Sequence, residues 1–147
     1  MAVLIDTNII ITILNRSEKI GQARSAFELL KEEEMFITVG ILAESAYVGL
    51  SIIYGCRGFK LRDELKKGLN EESINFLEGL VSFLESMQIE VISPPGDPAM
   101  ILDMIRNYKL LPADAAIAAS CKYPEIAKIA TFDSDFKRVD FLEVIGT

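Results

Sequence analysis

The first regular element of the chain reads Val3-Leu4-Ile5-Asp6-Thr7-Asn8. Three consecutive apolar residues without polar alternation are typical of a short strand that is buried on both faces. Asp6 is the only charged side chain in residues 1–15, and the sequence Asp-Thr-Asn is suited to capping a helix. We therefore predict a buried strand over residues 3–5, a carboxylate directly after it, and a short helix through Leu14.

The rest of the chain repeats this alternation of short apolar runs and helical stretches. Further strands are predicted over residues 35–39, 89–92, 126–131 and 141–145, and further helices over 18–34, 41–54, 71–87, 97–108 and 112–122. Buried strands that are separated by helices indicate parallel βαβ units. The expected fold is α/β, a three-layer α/β/α sandwich with a mostly parallel central sheet, formed by a single domain over residues 1–147.

Composition restricts the chemistry that the chain can perform. Of its 147 residues, 50% are hydrophobic and 25% are charged, as in globular proteins, and none is histidine. Imidazole acid–base catalysis and imidazole metal ligands are therefore excluded. Two cysteines are too few for a zinc cluster or a disulfide framework. Carboxylates are the main reactive groups left, and they favour hard cations such as Mg²⁺ or Mn²⁺.

Charge is distributed unevenly along the chain. The net charge is −7, so contact with nucleic acid requires a local basic patch or a bound cation. Residues 55–70 contain five basic and two acidic side chains, a net +3 in a chain that is otherwise −10. This segment has two interpretations, a set of phosphate contacts or a solvated helix face.

Four carboxylates stand apart from the acids of the solvated helix faces. Asp6, Glu44 and Asp114 have no Lys or Arg within four residues, and Asp133 follows a predicted strand with Asp135 beside it. On their predicted helices, Glu44 shares a face with Ile41, Tyr47 and Val48, and Asp114 with Ile117, Ala118 and Cys121. Both faces are expected to pack on the sheet. Asp6 and Asp133 follow buried strands, so both are expected at the same sheet edge, where sites form in such folds.

Burial of these acids needs a physical explanation. An unpaired buried carboxylate costs several kcal/mol, and clustered carboxylates repel one another. Either the pKa values of these acids rise until the acids are neutral, or a divalent cation neutralises all four, which is the more economical explanation. Taken alone, Asp6 has a structural alternative as a helix cap, Asp114 as a first-turn acid and Asp133 as a turn residue, whereas neither a cap nor a salt bridge suggests itself for Glu44. The conjunction favours a cation site.

A membrane span and a secretory leader are both disfavoured by the sequence. Residues 35–56 carry one charge, Glu44, which lies near their middle where it would be costly in a bilayer, so a strand followed by a helix is preferred. The amino-terminal residues lack a basic leader, and cysteine usage is that of a reduced protein. We expect a cytoplasmic protein without membrane contact.

At the four acids the sequence resembles the PIN-domain family, in particular the VapC-like ribonuclease toxins of prokaryotic toxin–antitoxin systems. The motif Val-Leu-Ile-Asp6-Thr7-Asn8 looks like the opening strand and first acid of that family, and Glu44 in Ile-Leu-Ala-Glu-Ser matches the second acid. Pro-Ala-Asp114-Ala-Ala-Ile-Ala-Ala is similar to the third. Thr131-Phe-Asp133-Ser-Asp135-Phe resembles the closing motif, in which either aspartate is a plausible fourth acid. Residues 51–70 are longer and more basic than in the compact version of the fold.

The resemblance implies a function. The chain would be an endoribonuclease that depends on Mg²⁺ or Mn²⁺, in which Asp6, Glu44, Asp114 and Asp133 are the catalytic and metal-binding residues and a metal-activated water cleaves RNA. Asn8 and Thr131 would orient ligands or waters, and the products would carry a 5′-phosphate and a 3′-hydroxyl. Family precedent further implies a small antitoxin as partner and a homodimer.

Two other functions are compatible with the residues. One is a catalytically silent module of the same fold that serves as a binding or oligomerisation surface. The other is a Mg²⁺-dependent phosphotransfer or phosphatase domain with Asp6 as nucleophile. That chemistry usually requires an Asp-x-Asp motif or a helper lysine near the first strand, and Asp6-Thr7-Asn8 provides neither.

Overall fold

The computed structural model describes residues 1–15 and 20–146. This part of the chain forms the strands β1 (Ala2–Ile5), β2 (Glu34–Thr38), β3 (Glu90–Ile92), β4 (Lys128–Ala130) and β5 (Glu143–Ile145). They build one sheet in the order β3-β2-β1-β4-β5, and every neighbouring pair is parallel. The predicted α/β fold with a parallel central sheet is confirmed.

Helices cover both faces of this sheet. They are α1 (Thr7–Asn15), α2 (Ile20–Leu30), α3 (Val39–Tyr54), α4 (Gly58–Lys66), α5 (Glu71–Ser86), α6 (Pro98–Tyr108) and α7 (Pro112–Lys122), with a 3-10 helix at Ser134–Arg138. From β1 to β2 to β3 the chain moves toward one side of the sheet, and from β3 it crosses back to β4 on the other side of β1. Because crossovers between parallel strands are right-handed, a change in direction places the connecting helices on the opposite face. Helices α1 to α5 therefore lie on one face and α6 and α7 on the other. In agreement, α1 packs on α2 and α3, α3 on α5, and α6 on α7.

The first strand lies at the centre of the sheet. Val3, Leu4 and Ile5 are all 0% exposed, because β1 has β2 and β4 as neighbours and helices above and below. This is the burial that an uninterrupted apolar run predicts. Asp6, the residue at the carboxyl end of β1, is consequently held at the middle of one sheet edge.

The strands predicted over 126–131 and 141–145 are shorter in the structure, and two further boundaries differ for identifiable reasons. The second strand ends at Thr38, not at 39, because the Thr38 hydroxyl accepts a hydrogen bond from the Ile41 amide (3.0 Å) and so caps α3. The helix predicted over 18–34 ends at Leu30, because Glu34 already pairs with Ala2 in the sheet. Its predicted first residues, 18 and 19, lie outside the described ranges.

The basic segment, residues 55–70, connects α3 to α5 and contains the helix α4. Gly55, with φ +67°, ends α3 in the left-handed conformation, and α4 follows with Leu61 as its buried residue. Two tyrosines of α3 hold the segment at its ends: the Tyr47 hydroxyl accepts from the Gly58 amide (2.9 Å) and the Tyr54 hydroxyl from the Asn70 amide (3.0 Å). The basic side chains of α4 are exposed on a helix that is tied to α3.

The predicted packing face of α3 is wrong for two of its four residues. Glu44 and Tyr47 are exposed, whereas Ile41, Ser45 and Gly49 are buried. Because α3 is apolar around almost its whole circumference, hydrophobicity does not identify the face that packs; small residues do. Gly49 lies so close to Phe76 of α5 that an added Cβ would be 1.9 Å from the ring.

The apolar region around α3 is the part of the chain where the sequence raised a membrane span as an alternative. Among the described residues, no single helix has both the length and the apolar character needed to cross a bilayer. Helices α3 and α4 meet the length and composition criteria only together, and they are bent by 79° relative to each other.

Candidate active site

The four predicted acids line one cleft at the carboxyl edge of the sheet. Asp6 follows β1, Glu44 lies in the second turn of α3, Asp114 in the first turn of α7, and Asp133 follows β4. The cleft has a volume of about 360 Å³ and is completed by α1. Four segments that are widely separated in sequence therefore meet at one place.

Asp6 is the buried member of this group. It is 7% exposed, and both carboxylate oxygens accept hydrogen bonds: Oδ1 from the Thr7 amide (2.8 Å) and Oδ2 from the Thr131 hydroxyl (2.7 Å). The backbone continues the ladder, since the Asp6 amide donates to the Ala130 carbonyl (2.9 Å). The position and orientation of this carboxylate are thus set by β1 and β4 together.

Thr131 links the first and last motifs of the sequence. The residue is fully buried; its hydroxyl donates to Asp6 and accepts from the Asn8 side-chain amide (3.2 Å) and from the Asp133 backbone amide (3.0 Å). The Asn8 Oδ1 in turn accepts from the Phe132 amide (3.1 Å). Asn8 and Thr131 therefore orient Asp6 and the turn that carries Asp133.

Glu44 is the exposed acid of the cleft. Its Oε2 accepts a hydrogen bond from the Thr7 hydroxyl (3.1 Å), so α1 holds the side chain although α3 does not bury it. The sequence indicated a helix-capping role for the Asp-Thr-Asn motif but no contact between Thr7 and the acids of the site. Its position directly after Asp6, in the first turn of a helix that starts at the site, was the available signal.

Three further cleft residues were missed, Ile11 and Thr12 of α1 and Val48 of α3. The two α1 residues follow Thr7 and Asn8 at helical spacing, so one face of α1 forms a wall of the cleft. The spacing was visible in the sequence, but the face that α1 presents depends on how it packs against α3.

Asp133 and Asp135 occupy different environments. Asp133 lines the cleft, and its Oδ1 accepts from the Asp135 amide (2.8 Å) at the start of the 3-10 helix. The Asp135 carboxylate accepts from the Arg138 guanidinium (2.9 Å) and is thereby partly neutralised. Oxygens of Asp114, Asp133 and Asp135 nevertheless lie within 4.8 Å of one another.

Burial and repulsion by neighbouring carboxylates raise the pKa of two cleft acids, Asp6 and Asp114. For Asp114, burial is the main cause, and the charges of Asp133 and Asp6 add to it, so that its pKa rises from 3.8 to about 6. Burial also raises the pKa of Asp6, opposed by the hydrogen bonds from Thr131 and Thr7. Ionisation of these two carboxyl groups is therefore unfavourable in the cleft, and a bound cation would offset that cost.

The donor set suits a hard divalent cation. Carboxylate oxygens are available from Asp6, Glu44, Asp114 and Asp133, and the described part of the cleft wall contributes neither thiolate nor imidazole. Oxygen-only sites of this kind favour Mg²⁺ or Mn²⁺ over Zn²⁺ or Cu²⁺. The residues present thus fit such an ion.

Replacing Asp114 with asparagine is expected to stabilise the metal-free protein at neutral pH. The folded-state pKa is raised to about 6, so the ionised carboxylate costs stability above that pH, and the cost disappears as pH falls toward 4. After allowance for solvent screening of this half-buried group, Asp114→Asn should gain about 1 kcal/mol at pH 7.5. Thermal melts in excess chelator should show a rise of about 2–4 °C at pH 7.5 and none near pH 4. A lower melting temperature at pH 7.5 would contradict this account.

Comparison with known proteins agrees with this architecture. A model of the PIN domain matches residues 3–142. Ribonuclease VapC2 of Methanocaldococcus jannaschii is 30% identical over 128 residues, which cover 84% of this chain and 81% of that protein.

Two solved structures share the fold. One is VapBC2 of Rickettsia felis bound to a DNA fragment from their promoter, with TM-score 0.64, 19% identity and coverage of 98% of this chain and 97% of that one. The other is Mycobacterium tuberculosis VapC20, a sarcin-ricin loop cleaving toxin, with TM-score 0.63, 15% identity and coverage of 97% and 98%. With the family match over nearly its whole length and the cleft described above, this chain belongs to the PIN domain family.

Proposed function

We propose that this chain, as one domain, is an endoribonuclease that depends on Mg²⁺ or Mn²⁺ and acts as the toxin of a toxin–antitoxin pair. The observation that carries the proposal is the convergence of Asp6, Glu44, Asp114 and Asp133 on one cleft, with the pKa of Asp6 and Asp114 raised. The VapC2 ribonuclease, a relative over most of the chain, supports the same reaction.

The cleft residues have distinct roles in this proposal. Asp6, Asp114 and Asp133 would hold the cation together with Glu44, and a bound divalent cation supplies a Lewis acid that activates water and offsets charge on the scissile phosphate. Thr131 and Thr7 keep the Asp6 carboxylate in one orientation. Because the chain has no histidine, the proton of the attacking water would pass to a carboxylate of the cleft, to the phosphate or to solvent. Glu44, which is exposed and held by Thr7, is the accessible acceptor.

Thr131 is proposed as a positioning residue for Asp6. Changing Thr131→Val keeps the shape of the buried side chain but removes one hydrogen bond to Asp6 and two that the hydroxyl accepts. Removal of a group that orients a metal ligand costs about 10- to 100-fold in metal affinity or activity. Single-turnover cleavage and Mn²⁺ titration should both show the loss, and Thr131→Ser, which keeps the hydroxyl, should restore most of it. Equal losses in the two variants would contradict the hydrogen-bond role.

Helix α4 is proposed to contact RNA phosphates. Lys60 and Lys66 are exposed, whereas Arg62 pairs with Asp63 and Lys67 with Glu64, so the first two are the better test positions. Lys66→Glu should weaken RNA binding and reduce the slope of log affinity against log salt by about 0.7 for each phosphate that the protein no longer neutralises. Fluorescence anisotropy at several salt concentrations measures the slope. The control is Lys31→Glu, an exposed lysine before β2 whose only tie in the described part of the chain is a surface ion pair with Glu28 (3.3 Å), a contact of little energetic weight. Equal effects of the two substitutions would mean that α4 is only a solvated surface.

The direct test of the function uses purified protein and a labelled single-stranded RNA. We expect cleavage in Mg²⁺ or Mn²⁺ with 5′-phosphate and 3′-hydroxyl ends, and no hydrolysis of a generic phosphomonoester. Hydrolysis of the monoester alone would indicate a phosphatase. If the protein hydrolyses neither substrate and calorimetry detects no Mn²⁺ binding, the chain is a catalytically silent binding module.

An antitoxin partner and a homodimer complete the proposal. The VapC-like motifs and the match to VapC2 support a small protein partner that covers the acidic cleft. Co-expression with the product of a neighbouring reading frame, followed by a cleavage assay, tests whether such a partner inhibits the reaction. The homodimer stays a prediction from the family resemblance, and light scattering of the purified chain measures it.

A further inference from the structure

We propose that an apolar cavity beside the acidic cleft is a pocket for one nucleobase of the RNA, next to the cleaved bond. The inference rests on the proposed ribonuclease function and adds to it the site that holds the base. The cavity has a volume of about 260 Å³ and lies at the same sheet edge as the acids. Its wall is formed by the end of β2, the start of α3, the segment after β3, and α7.

The cavity adjoins the acidic cleft. Glu44 lines both of them, and Ala113 on the cavity wall is followed directly by Asp114 on the cleft wall. A base is joined to its phosphate through a single ribose. A phosphate held among the carboxylates therefore carries its own base, or the neighbouring one, to the mouth of this cavity.

The chemistry of the wall fits a neutral planar group. Besides Glu44, its polar side chains are Thr38 and Ser120, and both have hydrogen-bond partners nearby in the chain: Thr38 accepts from the Ile41 amide (3.0 Å), and Ser120 donates to the Ala116 carbonyl (2.7 Å). The rest of the wall is apolar. An anion would be repelled by Glu44 at the junction, whereas the apolar faces of a base can be buried against this wall without a charged partner.

This wall predicts how the base is recognised. Few hydroxyls are available for reading base edges, so the pocket should require a base while discriminating weakly among the four. Gly40 in the first turn of α3 leaves room: a Cβ added there would meet only the Thr38 hydroxyl, at 3.6 Å. Larger side chains at this position can therefore be used to fill the pocket without disturbing the backbone.

The experiment combines abasic RNA with filled-pocket variants. Each nucleotide that flanks the cleaved bond is replaced in turn by an abasic residue, and kcat/KM is measured. In the wild type, one position should show a loss of about 10- to 150-fold, the factor that corresponds to burying one apolar group of side-chain size. Ala116→Leu and Gly40→Leu should lower kcat/KM on intact RNA and reduce the abasic penalty at that position to nearly onefold. Ala127→Leu, an exposed residue before β4 at the opposite sheet edge, should behave as the wild type.

The outcomes separate this inference from the function on which it rests. Cleavage without an abasic penalty at any position, or with the same penalty in both filled variants, overturns the pocket while the ribonuclease stands. Filled variants that cleave normally but lose binding of an antitoxin also overturn it, because the cavity would then serve a protein partner. Absence of any RNA cleavage overturns the proposed function, and the inference with it. If Ala116→Leu has a melting temperature well below that of the wild type, its kinetics are set aside and the abasic penalty of Gly40→Leu alone tests the pocket.

Discussion

Asp6→Asn is expected to reduce RNA cleavage on the order of 1000-fold, because loss of a carboxylate ligand removes several kcal/mol of charge stabilisation. Asparagine has nearly the same shape and offers a carbonyl oxygen to the Thr7 amide or the Thr131 hydroxyl, which now bond to the carboxylate. The substitution also removes a buried carboxyl group whose ionisation is disfavoured, since burial raises the pKa of Asp6. The variant should therefore fold, and its lost activity should reflect chemistry and not unfolding.

A matched substitution controls for the loss of negative charge. Asp103 is exposed on α6 and pairs with Arg106 on the surface (3.4 Å), so Asp103→Asn should cleave RNA as the wild type does. Single-turnover rates for both variants, with melting temperatures, make the comparison. Wild-type cleavage by Asp6→Asn would remove this residue from the active site.

Removal of divalent cations is expected to lower cleavage to background and to destabilise the protein. A ligand that binds the folded state at 100 times its Kd stabilises it by about 2.7 kcal/mol, and chelation removes that amount. Addition of Mn²⁺ or Mg²⁺ should restore both cleavage and melting temperature. Since the pKa of Asp114 is about 6, protons compete with the cation below that pH, so the melting shift produced by Mn²⁺ should shrink between pH 7.5 and pH 5.

The same titration separates specific binding from general ionic effects. Asp6→Asn should lose most of the Mn²⁺-induced melting shift, while Asp103→Asn should keep it. Full cleavage in excess chelator would show that the reaction does not depend on a metal, and the acidic cleft would then need another explanation.

Several parts of the fold could be predicted because they depend on local pattern. The Val3-Leu4-Ile5 run predicted a buried strand, and the structure buries all three residues completely. Pro112 predicted the first residue of α7, since its missing amide proton costs nothing there. The boundary of β2 was missed by one residue, because a threonine that ends a strand and a threonine that caps a helix look the same without the Ile41 contact.

The sequence was sufficient to predict which acids form the site, but not how buried each acid is or what it contacts. The absence of neighbouring counter-charges singled out Asp6, Glu44 and Asp114, and the structure places all three on one cleft. Glu44 is nevertheless exposed. Its exposure could not be predicted because α3 is apolar around most of its circumference, so the sequence does not show which face packs. Its hydrogen-bond donor, Thr7, is 37 residues away in the chain.

What the sequence determined by itself is the set of elements and the list of isolated acids, because helical and strand periodicity and local charge are properties of neighbouring residues. What only the tertiary structure decided is which groups touch: the Thr131 hydroxyl reaches Asp6 across 125 residues. It also decided that an apolar cavity shares Glu44 with the acidic cleft. Such contacts depend on strand order and on helix rotation. These follow from the packing of the whole chain, and no local pattern specifies them.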